Sequence, residues 1–97
     1  MNWDRSISTT EQYLVEVLRK SEKELSIHEI IDRIRNINPN ILSGKTPHKS
    51  LYSIIYKREK RRLERGQPPL LNVTKRGGAS YYSLNVDHIH IIGLKIN

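Results

Sequence analysis

Between Lys57 and Arg65 the chain carries six basic side chains, Lys57, Arg58, Lys60, Arg61, Arg62 and Arg65, against two acids, Glu59 and Glu64. Cations at this density grip phosphates, or they complement the negative end of a helix and keep its surface solvated. The whole chain leans the same way. Its 97 residues hold 17 Lys and Arg against 10 Asp and Glu, a net charge of +7. A domain this basic is expected to meet a polyanion, either nucleic acid or an anionic membrane surface. A second basic pair, Lys75-Arg76, abuts Gly77-Gly78, where a backbone without side chains can approach a ligand closely.

Other chemistry is poorly provided for. His88 and His90 would share one face of a strand, a spacing that can ligate a metal. Only Asp87 lies beside them and the chain has no cysteine, so no metal site is expected. The same lack of cysteine excludes disulfides and thiolate chemistry. His28 reads as a surface or capping neighbour, and Trp3 and Tyr81 as packing residues. Gly77-Gly78 does not precede a helix, so no phosphate-binding glycine fingerprint is present. The acids are scattered, without the paired acids and lysine that metal-dependent nucleases use. No catalytic residue, cofactor or small-molecule substrate is assigned, and the chain is not expected to be an enzyme, although it could be a module of one.

The elements that position these residues follow from spacing. Residues 1–8 read as an N-terminal arm. Ser8 and Glu11 form a capping box, and Tyr13, Leu14, Val17 and Leu18 mark a helix over about 9–21. Leu25-Ser26-Ile27 is a short extended piece. Ser26 and Glu29 form a second capping box, and Ile27, Ile30, Ile31 and Ile34 mark a helix over about 27–37, broken at Asn38-Pro39-Asn40. Gly44 is expected to supply an unusual backbone angle in the next turn. Thr46 as N-cap and Pro47 at the first position start a third helix, which Leu51, Ile54 and Ile55 bury and which ends before Gly66-Gln67-Pro68-Pro69 at about residue 64. The period then becomes two. Leu71 and Val73, then Tyr82 and Leu84, mark two strands joined by a turn over 75–80. This order is that of an α+β winged helix-turn-helix, three helices plus a C-terminal β-hairpin wing.

On the third helix, burial of Leu51, Ile54 and Ile55 turns Lys49, Ser53, Tyr56 and Lys60 outward, flanked by Tyr52 and Lys57. Lys45, Thr46, Lys57, Lys60, Arg61, Lys75 and Arg76 are therefore the candidates for phosphate contact. His48, Lys49, Tyr52, Ser53 and Tyr56 are the candidates for base contact, because phosphate contacts position and base contacts specify. Arg58 and Arg62 fall on the inward side. Their stems are expected to cover the end of the core while their heads reach solvent.

The run GKTPHKSLYSIIYK, preceded by LSIHEIIDRI and followed by a hairpin ending YYSL, resembles the HARE-HTH domain, a winged-helix family of restriction endonucleases, Asx-like chromatin proteins and other DNA-associated proteins. Gly44-Lys45-Thr46-Pro47 with Leu51 and Ile55-Tyr56 carries most of the likeness, which spans about residues 8–85. The resemblance implies a double-stranded DNA-binding or tethering module of a restriction-modification or other DNA-associated protein, linked to a nuclease or another domain. The Lys57–Arg65 run is longer and more basic than that family suggests, and nothing after Leu84 matches it.

Residues 9–85 are thus expected to form the DNA-binding domain, and 86–97, rich in isoleucine, a further strand or a linker. The alternative is a winged helix that docks DNA-associated machinery through protein contacts, which an apolar patch on the outer face of the third helix would favour. RNA binding or an enzyme fragment is the third reading, against which stands the lack of aromatic strand motifs for single-stranded RNA. No stretch suits a bilayer span or a signal peptide. The expected setting is cytoplasmic and, in a bacterium, nucleoid-associated, with no membrane partner.

Overall fold

The computed structural model describes residues 9–85. Five sequence expectations fall outside them: the arm, Trp3, the Ser8 cap, the His88/His90 pair and the apolar tail. The described elements are α1 (Thr9–Lys20), β1 (Leu25–Ser26), α2 (Ile27–Ile37), α3 (Pro47–Glu64), β2 (Leu71–Arg76) and β3 (Ala79–Leu84). The fold is the α+β winged helix-turn-helix that the element order implies, with one addition. The extended piece at Leu25-Ser26 pairs antiparallel with β3, so the sheet has three strands in the order β1-β3-β2.

Local chemistry explains each boundary. Ser26 ends β1 and caps α2. Its hydroxyl accepts the Glu29 N–H at 3.3 Å and the Glu29 carboxylate accepts the Ser26 N–H at 3.0 Å, a complete capping box. At the far end of α2, the Asn38 N–H reaches Ile34 O, and the Asn38 side chain donates to the Tyr13 hydroxyl at 3.1 Å, tying that end to α1. The α3 start departs from expectation in two ways. Thr46 occupies the N-cap but its side chain makes no cap hydrogen bond; its carbonyl accepts the Lys49 and Ser50 N–H groups instead. The left-handed residue of the preceding turn is Leu42, with φ 57°, and not Gly44. Leu42 packs against the core, and its carbonyl takes the Arg35 guanidinium at 2.6 Å, so burial and a charged donor hold a conformation that a leucine disfavours.

α3 closes on Gly66, whose φ of 71° permits a Schellman motif, with Gln67 N–H to Arg62 O and Gly66 N–H to Leu63 O. The hairpin is tighter than a turn over 75–80. Lys75 pairs with Ser80 and Arg76 with Ala79, leaving Gly77 and Gly78 alone in the turn. Their φ values of 56° and 82° meet the positive-φ requirement of a type I′ turn, which matches the twist of the strands.

The core is aliphatic. Leu14, Val15, Val17 and Leu18 of α1, Ile30, Ile31 and Ile34 of α2, Leu51 and Ile55 of α3, and Leu25, Leu70, Leu71 and Tyr82 pack as one cluster. Ile54, expected beside Leu51, is only partly buried. Arg62 corrects the sequence expectation: its head does not reach solvent. It lies inside, 3% exposed, bonded to Glu11 of α1 and Glu59 of its own helix. The inward phase of the helix carries it there, and two carboxylates offset part of the cost of burying the charge. Among the described residues, no helix is long and apolar enough to cross a membrane.

Candidate nucleic-acid interface

The outer strip of α3 is where the spacing put it. Lys49, Tyr52, Tyr56, Lys57, Lys60 and Arg61 are exposed and Ser53 is half-buried. The basic run serves two purposes along this helix. Arg58 and Arg62 turn inward onto Glu11, at 2.9 and 2.7 Å. Glu59 accepts Arg62 at 2.7 Å and the backbone N–H groups of Leu70 and Leu71 at 2.9 and 3.2 Å. That carboxylate therefore pins the start of β2 to α3 and fixes the angle between helix and hairpin. Lys57, Lys60 and Arg61 remain on the surface.

The fixed angle opens a groove of about 640 Å³ between α3 and one face of the hairpin. Tyr52, Tyr56, Lys60 and Leu63 line its helix side; Leu71, Val73, Lys75 and Tyr82 line its sheet side. The fold thus gathers four of the sequence candidates, Tyr52, Tyr56, Lys60 and Lys75, around one concavity. Tyr82 forms part of its floor. Burial, then the neighbouring Tyr52, raise the Tyr82 phenol above its ordinary value, while the Ser80 hydroxyl pulls the other way. The Tyr82 hydroxyl is therefore uncharged at neutral pH.

Other candidates lie apart. Lys45 and Thr46 are exposed in the turn before α3, beyond the groove. His48 packs its ring against His28 of α2, with centroids 5.3 Å apart. Arg76 is on the opposite face of the hairpin from Lys75, because strand geometry continues to the glycines and side chains alternate. Its guanidinium stands 4.5 Å over the Tyr81 ring and 3.2 Å from Glu24.

Sequence reasoning missed the apolar half of the groove. Leu63 is 76% exposed and Val73 is 52% exposed. Leu63 is masked in the sequence by the charges around it. Val73 shares the face of buried Leu71 in the period-two pattern, but it lies where the hairpin extends past its cover. Comparisons of the chain with protein-family models, curated proteins and solved structures return no match.

Proposed function

We propose that the chain is a double-stranded DNA-binding module of the HARE-HTH type, the reading or tethering part of a restriction-modification or other DNA-associated protein. The observation that carries this reading is the pairing of Lys60 on α3 with Lys75 on β2 across one groove. Lys49 lies in line with Lys60 on the exposed outer strip, about 16 Å along the helix, and Lys57 and Arg61 are exposed on the flank beside it. The nearby acid, Glu59, is occupied by Arg62 and two backbone donors. The surface left to a ligand therefore carries Lys49, Lys57, Lys60 and Arg61 against one exposed carboxylate of this helix run, Glu64. α3 supplies the groove-reading strip, and the lysines of helix and wing take phosphates.

Binding of a labelled duplex at several salt concentrations tests this. If about five to seven phosphates are neutralised, log K falls against log salt with a slope of roughly −4.5 to −6. No binding at low salt, or binding indifferent to salt, refutes it.

One observation favours a second reading, docking of another protein. The exposed Leu63 and Val73 give the groove an apolar wall, a feature that marks interaction sites in general.

A further inference from the structure

The groove between α3 and the hairpin combines features that a duplex flank does not use together. Tyr52 and Tyr56 are one turn apart on α3, and each is 57% exposed. Leu63 and Val73 add aliphatic walls, and Lys60 and Lys75 stand one on each side. A duplex presents phosphates and base edges but hides its base faces in the stack, so it would leave this aromatic and aliphatic surface wet. A peptide with apolar and acidic residues would use the walls. It would have no need of Lys49, which continues the outer strip of α3 in line with Lys60 beyond the groove, a placement suited to a further phosphate. A ligand that offers a planar apolar face and flanking phosphates at once is an unpaired nucleotide. Stacking on tyrosine is tolerant of base identity and strengthens single-strand contacts.

We propose that this groove takes an unpaired base from a single-stranded overhang at a duplex end. The base stacks against Tyr52 and Tyr56 between the walls of Leu63 and Val73, and Lys60 and Lys75 hold its flanking phosphates. The assignment rests on the DNA reading above and adds the ligand of its groove.

The test compares a blunt duplex, the same duplex with a short overhang carrying 2-aminopurine, and the overhang strand alone. The overhang duplex is expected to bind about 5- to 150-fold tighter than the blunt one, the equivalent of one stacked base, and its 2-aminopurine fluorescence is quenched on binding. Tyr56→Ala loses the quench and Tyr56→Phe keeps it, with circular dichroism confirming that both fold. Equal binding of blunt and overhang duplexes without a quench overturns the inference while leaving salt-dependent duplex binding intact. Binding of the strand alone as tightly as the overhang duplex overturns the assignment to duplex ends. Failure of every probe to bind overturns both this inference and the DNA reading beneath it.

Discussion

Arg62 on α3 donates from Nη2 to Oε2 of Glu11 on α1 across 2.7 Å, and the two side chains are 3% and 2% exposed. This pair joins the first and third helices inside the domain, with Arg58 adding a bond to the other Glu11 oxygen. Burying two charges costs desolvation that their attraction only partly returns, so the pair is costly to break rather than strongly stabilising in itself. Glu11→Ala is expected to lose about 3–5 kcal/mol of folding stability in denaturant titration. Glu11→Leu combined with Arg62→Met, which removes both charges and keeps the volume apolar, is expected to recover most of that loss.

The hairpin alternation separates Lys75 from Arg76. Lys60→Ala and Lys75→Ala should each weaken duplex binding across sequences and flatten the salt slope by about 1. Arg76→Ala should flatten it by much less, because its guanidinium is turned to Glu24 and Tyr81 on the other face. A larger effect from Arg76 than from Lys75 would move the contact surface to the opposite side of the wing.

The capping box at α2 makes stability depend on acid. Hydrogen bonds from the Ser26 backbone and hydroxyl, with Lys23 and Arg33 nearby, hold the Glu29 carboxyl below its ordinary range. Its contribution is therefore present above the unfolded carboxylate pKa and lost as pH falls through the lower folded value. Thermal unfolding followed from neutral pH into the acid range should show a shallower fall for Glu29→Ala than for the parent, with the variant less stable at neutral pH.

Two glycines with different backbone demands give opposite expectations. Gly77 sits at φ 56° in the turn, so Gly77→Ala forces an L-residue into a left-handed conformation at a cost of about 1–2 kcal/mol. Gly44 has no positive φ, and a Cβ added there would meet nothing within 4 Å. Gly44→Ala should be neutral or slightly stabilising, by up to about 1 kcal/mol, in the same thermal or denaturant assay.

What the sequence reveals and what it hides differ in range. The bounds of α3 are legible because Thr46-Pro47 and Gly66-Gln67-Pro68-Pro69 act within a few residues of the helix ends they define. The fate of Arg62 is not, since its partner Glu11 is 51 positions away and only packing brings the two together. The helical wheel places Arg62 inward, but an arginine pointing inward ordinarily returns its head to water. Val73 fails for a related reason. Alternation says which face of β2 it occupies, whereas its exposure depends on how far α3 covers that face. Leu42 rather than Gly44 takes the left-handed position because burial and Arg35, neither local, outweigh intrinsic preference.

The phase of α3 underlies every assignment made to its outer face. Ile55 is 6% exposed in the core cluster, and Tyr56, the next residue, is 57% exposed. A helix advances about 100° per residue, so neighbours in sequence can stand on the buried and open flanks of one turn. Ile55→Ala removes buried methyl groups and leaves a cavity, and should cost roughly 2–5 kcal/mol of folding stability. Tyr56→Ala removes a side chain with little packing to lose and should stay within about 0.5 kcal/mol, yet it should weaken nucleic-acid affinity through the groove. Chemical denaturation and binding of the overhang duplex by the same two variants read both consequences. A silent Ile55→Ala with an unfolding Tyr56→Ala would rotate the helix and carry Tyr52 and Lys60 away from the proposed groove; the reverse result keeps one face of α3 for the core and leaves the other open to the proposed ligand.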